Sequence, residues 1–109
     1  MPNRRTVFFV SDRTGITAEM LGNSLLSQFD DIEFQRLTIP FVDSPDKIAG
    51  VIEQINETTG REVRPPIVFS SIVDEAMSDT LRRHTNALTL DLFSVFFGVA
   101  CSVLGEKAK

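Results

Sequence analysis

The sequence predicts an α/β fold: a mostly parallel sheet of about four strands with helices on both faces. Three observations lead there. Short apolar runs alternate regularly with longer amphipathic segments, as in chained β-α-β units. The short runs are apolar throughout, as strands covered on both faces require. Finally, the junctions carry the Ser, Asp, Pro and Gly residues that start and stop helices.

The first strand is expected at Thr6 to Val10, which is rich in β-branched and aromatic residues. Ser11-Asp12-Arg13-Thr14-Gly15 then forms a polar turn opening a helix. That helix is expected to bury one face made of Ala18, Leu21, Gly22, Leu25 and Phe29. A second strand is expected from about Phe34 to Phe41, with Pro40 near its end. In the second helix Ser44 suits the cap and Pro45 the first turn, while Ile48, Val51, Ile52 and Ile55 share a face. Gly60 is its expected stop.

After Arg64-Pro65-Pro66, the third strand is expected at Ile67 to Ser71. Asp74 should cap a helix carrying Ala76, Met77 and Leu81. Asn86 turns the chain into a fourth strand, Ala87 to Leu90, and Asp91 is placed to cap a last helix. Strands alternating with crossover helices imply a three-layer arrangement, Rossmann-like or flavodoxin-like, in which strand order is left open. Residues 1–109 should form a single domain, since a chain this long encloses one core.

Composition narrows the function classes. A net charge of −4 argues against a nucleic-acid surface, and Arg4-Arg5 and Arg82-Arg83 are too short to reverse it. The single cysteine, Cys101, excludes an internal disulfide and a cysteine-based zinc cluster. It lies in an apolar segment where an inert packed thiol is expected. The longest apolar stretch, Leu92 to Leu104, is interrupted by Ser94, Gly98 and Ser102 and is shorter than the roughly 18 residues of a membrane span. With no charged-then-apolar leader, a cytoplasmic setting is expected, with no nucleic-acid or membrane partner.

Ligands of open parallel sheets bind beyond the carboxyl ends of the strands. Three segments fall there: Ser11 to Gly15, Phe41 to Ser44, and Ser70 to Asp74. The first is the candidate for a phosphate or similar anion. Ser11, Thr14 and Thr17 offer hydroxyls, Gly15 permits close backbone approach, Arg13 adds a cation, and the helix start supplies amides. Asp12 would repel a bare phosphate, so it either braces the turn or holds a hydroxyl-bearing or metal-bound ligand. The competing reading is that Ser11, Asp12 and Thr14 merely satisfy the helix amides.

His84, the only histidine, stands beside Arg82 and Arg83 at a helix end, where a cation is favoured without catalysis. No nucleophile-histidine-acid set and no metal-ligand spacing is legible. G-x-x-x-x-G-K-[ST] and G-x-G-x-x-G are both missing from these residues.

Five collinear blocks carry a resemblance: Phe9 to Glu19, Leu25 to Phe29, Thr38 to Val42, Arg64 to Ser70, and Leu90 to Phe93. Together they resemble the bacterial phosphoenolpyruvate synthase regulatory proteins, which are related to the pyruvate, phosphate dikinase regulatory proteins. The likeness extends to about Phe97.

It implies a bifunctional serine/threonine kinase and phosphorylase that uses ADP to phosphorylate a threonine of the synthase or dikinase. The same protein would remove that phosphate with inorganic phosphate, releasing pyrophosphate. In such proteins a P-loop grips the nucleotide in a C-terminal half, so these residues look like the amino-terminal domain, inactive alone and binding no cofactor by itself. Two departures stand out. Arg13 occupies a position where relatives carry a small residue, which either strengthens anion binding or fills the site. Ser94 to Leu104 is more apolar than the family's continuation, so either the tail is not that continuation or the helix expected at Leu92 to Leu104 is buried against a partner, as in a homodimer.

Two alternatives accompany this expectation. One is a non-catalytic dimerisation or target-docking module. The other is a flavodoxin-like flavin or response module, for which the lack of Trp and Tyr removes the usual stacking rings.

Overall fold

The computed structural model describes residues 3–92. It contains β1 (Asn3–Ser11), α1 (Ile16–Leu26), β2 (Ile32–Ile39), α2 (Pro45–Arg61), β3 (Ile67–Ser71), α3 (Glu75–His84) and β4 (Leu88–Asp91). The strands form one sheet of order β2-β1-β3-β4, and every pairing is parallel. The α/β class and the parallel sheet agree with the expectation, and the strand order left open is now fixed. Cys101 and nearly all of the expected Leu92–Leu104 helix lie outside the described residues.

β1 is the centre of the molecule because it is apolar on both sides. Val7 and Phe9 face one layer, where they pack with Ala18 and Leu26 of α1 and Phe69 of β3. Phe8 and Val10 face the other, where Ile48, Val51 and Ile55 of α2 and Leu81 of α3 cover them together with Val68 and Ile72. Burying each of these large side chains contributes roughly 1.5–3 kcal/mol against the cost of ordering the chain. β2 is an edge strand, mostly exposed, which suits its Glu33, Gln35 and Arg36.

Local signals hold at α2 and α3. The Ser44 hydroxyl accepts the Lys47 amide at 3.3 Å, and Pro45 occupies the first turn. The Asp74 carboxylate accepts the Met77 amide at 2.9 Å. In α3, however, Ala76 is exposed and Ser78 is buried beside Leu81, its hydroxyl donating to Asp91 at 3.0 Å. Asp91 ends β4, and the helix it was expected to cap lies outside the described residues.

Other elements differ from the expectation. α2 does not stop at Gly60: it runs to Arg61, and Glu62 is already extended, its amide donating to the Thr58 carbonyl. β2 begins at Ile32 and ends before Pro40, so Phe41 lies beyond the strand. On α1 the buried residues are Ala18, Gly22 and Leu26, while Leu25 and Phe29 are about half exposed.

The reason is the close approach at Gly22. A Cβ there would lie 2.4 Å from Cε1 of Phe9 and 3.0 Å from Cδ2 of Phe69. The helix therefore settles with Gly22 on the sheet, which turns Leu26 inward and Leu25 outward. Phe29 follows the helix end and leaves its face.

Candidate functional site

β1 connects leftward to β2 and β3 connects rightward to β4, so the sheet changes direction between β1 and β3. A crevice forms at such a switch point, outside the carboxyl ends of the two strands. All three carboxyl-end segments meet there. After Pro40 the chain folds back over the first turn, and the Phe41 amide donates to the Arg13 carbonyl at 2.8 Å. The Val42 amide donates to the Ser11 carbonyl, also at 2.8 Å, with the Val42 side chain buried in the core. From the other side, the Val73 amide donates to Oδ2 of Asp12 at 3.0 Å, tying the β3–α3 loop to the β1–α1 turn.

Within the turn, Ser11 is buried and its Oγ accepts the Arg13 amide at 3.1 Å. Gly15 stands at the helix cap with φ 87, the left-handed region, which most residues bearing a Cβ adopt only at a cost. The cap residue of α1 is a glycine with no side chain to offer its amides, in contrast with Ser44 on α2 and Asp74 on α3. Thr14 Oγ1 accepts only a long bond, 3.5 Å, from the Ile16 amide. Arg13, Thr14 and Thr17 are exposed, and no hydrogen bond or ion pair among the described residues holds the Arg13 guanidinium. The turn thus carries hydroxyls, a cation and the start of a helix within a few residues of one another, groups chemically suited to an anion.

Two nearby features escape sequence reasoning. Phe41 has φ 58, the sole non-glycine positive φ among the described residues, and is 54% exposed. Its carbonyl accepts Lys47 Nζ at 3.1 Å, and the same ammonium pairs with Asp43 at 3.0 Å. That hydrogen bond and the lysine charge hold the Asp43 carboxyl below its ordinary value. On the flank of α1, the Thr38 hydroxyl donates to Glu19 and fixes the edge strand to the helix. No pattern of residue types announces either feature, since both depend on where β2 ends.

The other candidates are elsewhere. His84 ends α3, exposed, with its carbonyl accepting the Asn56 side-chain amide at 2.8 Å. Among the described residues no group of three His, Cys, Asp or Glu side chains gathers as metal ligands do. No described helix is long and apolar enough to cross a membrane. A groove of about 460 Å³ lies on the α1 side of the sheet, lined by Leu21, Leu25, Phe69, Leu90 and Leu92 among others.

Comparison with known proteins gives this geometry a context. Residues 7–109 match the kinase/pyrophosphorylase family. A phosphoenolpyruvate synthase regulatory protein of Laribacter hongkongensis is 47% identical over 108 residues, which is 99% of this chain and 39% of the relative. Proteins of the same name from Alkalilimnicola ehrlichii and Pseudomonas putida are 52% and 46% identical over 93 residues, 85% of this chain in each case. Those matches cover 33% and 34% of the relatives, so the chain spans a little over a third of their length. With a family match over nearly all of its residues and relatives this similar, the chain belongs to the kinase/pyrophosphorylase family.

Proposed function

We propose that this chain is the amino-terminal domain of a bifunctional regulator of phosphoenolpyruvate synthase, or of pyruvate, phosphate dikinase. In the forward reaction the β-phosphoryl group of ADP passes to a threonine hydroxyl of the target. The bond from that phosphorus to the bridging oxygen breaks, AMP leaves, and the hydroxyl proton is released. In the reverse direction an oxygen of inorganic phosphate attacks the phosphothreonine phosphorus. The threonine oxygen departs and regains a proton, and pyrophosphate is formed.

Phosphoryl transfer asks more of positioned charge than of covalent groups. Ser11, Arg13, Thr14, Gly15 and Thr17 bind the inorganic phosphate or the phosphorylated loop of the target, while Asp12 braces the turn. On this reading a P-loop outside these 109 residues grips the ADP. The observation carrying this reading is the α1 terminus at the β1/β3 switch point, capped by a glycine, with Arg13 in the same turn and its guanidinium unpaired among the described residues.

Calorimetry of the chain with inorganic phosphate and with a phosphothreonine peptide tests it. Binding should appear and weaken several-fold in Arg13→Ala and Thr14→Ala, since each removes a donor to the anion. No binding by the parent chain refutes the anion site. Turnover of ADP and target by these 109 residues alone refutes the division of labour.

A second reading, a docking or dimerisation module, draws on the apolar groove beside α1. Phosphate binding lost in the two variants separates the first reading from it.

A further inference from the structure

Phe41 combines two unfavourable features that folding alone does not explain. Its left-handed backbone disfavours any residue with a Cβ, and a bulky one most of all. Its ring recovers little by burial, being 54% exposed and outside both core clusters.

The backbone itself has a clear task. The Phe41 amide is fixed on Arg13 and its carbonyl on Lys47, and Val42 is anchored in the core immediately after. Glycine would meet all of those demands without strain, and asparagine nearly so. The need for a left-handed residue is therefore structural, whereas the choice of an aromatic ring is not. Strain of this kind concentrates where a side chain is used by a ligand or partner.

The surroundings say what the ring is for. Ile16 at the start of α1 is 59% exposed, and Val73 in the β3–α3 loop is 47% exposed. Phe41, Val73 and the first residue of α1 are thus three exposed apolar residues on segments adjoining the turn of Arg13, whose guanidinium has no partner among the described residues. Two of the three are aliphatic, which favours packing against side chains over stacking on a nucleotide base. Exposed apolar residues on segments adjoining a cation complement a polypeptide segment in which an anionic residue is flanked by apolar ones.

We propose that Phe41 is a specificity-determining residue that packs against an apolar side chain flanking the phosphorylated threonine of the target polypeptide. This rests on the reading above, in which the target's phosphothreonine loop visits the Ser11–Thr17 turn.

The test measures binding of the chain to immobilised, phosphorylated phosphoenolpyruvate synthase, alongside thermal unfolding and calorimetry with inorganic phosphate and ADP. Phe41→Gly and Phe41→Asn both accept the backbone and lack the ring. Each should bind the synthase about tenfold more weakly, melt no lower than the parent, and bind inorganic phosphate unchanged. Phe41→Leu should retain part of the affinity, and Val63→Ser, at a distant exposed position, all of it. Equal synthase binding by parent and Phe41→Gly overturns the proposal and leaves the anion site standing. Loss of ADP affinity instead assigns the ring to a base and also overturns it, as does parallel loss of phosphate binding. A parent chain that binds neither synthase nor phosphate overturns it together with the reading beneath.

Discussion

Replacing Gly22 by alanine puts the packing of α1 to a quantitative test. A helix interior ordinarily gains from this change, since alanine is about 1 kcal/mol better than glycine there. At Gly22 the new methyl would stand 2.4 Å from Cε1 of Phe9, whereas ordinary carbon contacts lie at about 3.5–4.0 Å. Phe9 cannot swing aside: it is buried and stacked on Phe69 with ring centroids 5.7 Å apart and planes 18° from parallel. Either α1 lifts from the sheet or the ring pair is forced off its rotamers. Overpacking of that severity costs about 2–3 kcal/mol, the upper part of the range for buried sites.

Subtracting the propensity gain leaves a net destabilisation of about 1–2 kcal/mol, or a Tm lowered by roughly 5–15 °C in a domain of this size. Gly50 is the matched control. It lies inside α2 with nothing within 4 Å of its virtual Cβ, so Gly50→Ala should stabilise by about 0.5–1 kcal/mol. Both changes restrict the unfolded chain alike, so their opposite signs isolate the packing. Urea unfolding with a two-state fit measures both, and unchanged slopes license the comparison. In a Phe9→Leu background the Gly22→Ala penalty should shrink, as a double-mutant cycle would show. A Gly22→Ala protein as stable as Gly50→Ala would refute the close approach and, with it, the reason given for which face of α1 is buried.

Three further outcomes are expected. Gly15→Ala forces a Cβ into the left-handed region and to 3.0 Å from Cγ2 of Thr38, so it should cost about 1–2 kcal/mol in the same unfolding assay. Asp12→Ala removes the acceptor of the Val73 amide. Hydrogen exchange at Val73 should accelerate while exchange in β1 and β3 is unchanged. Lys47→Met should raise the Asp43 carboxyl toward its ordinary value in an NMR pH titration, since the lysine's hydrogen bond and charge are what lower it most. Because Asp43 titrates lower when folded, its contribution is present above that ordinary value. It is lost as pH falls through the lowered one, so any effect on unfolding belongs to the acid side and should shrink in the Lys47 variant.

What was legible in the sequence was local. The starts of α2 and α3 follow from Ser44, Pro45 and Asp74, which act within three residues of themselves. The β-α alternation gave the layers, and the carboxyl-end rule pointed to the three segments that do converge. The buried face of α1 was not legible. Ile16, Met20, Leu21, Leu25 and Leu26 surround the helix with apolar residues, so no single stripe stands out. The choice is made by two phenyl rings, one on β1 and one on β3. Strand order was hidden for a related reason, because β1 and β3 are apolar on both faces and their pattern names no neighbours. The bond joining Asp12 to Val73 spans 61 residues, and the left-handed Phe41 carries no glycine to announce it.

The way the site is assembled separates its scaffold from its chemistry. The contacts that bring the three loops together all use main-chain groups on at least one side: Phe41 and Val42 onto Arg13 and Ser11, and Val73 onto Asp12. Main-chain bonds are available to almost any sequence, so the shape of the crevice depends on β1 being locked between two apolar layers. The side chains left facing solvent, Arg13, Thr14, Thr17 and Phe41, contribute little to that frame and can change without collapsing it. A rigid strand that ends in replaceable side chains lets selection act on the ligand while stability is set elsewhere. On this division Gly22 is a position of stability, and Arg13 and Phe41 are positions of recognition. Substitutions in the two groups should therefore move Tm and binding independently.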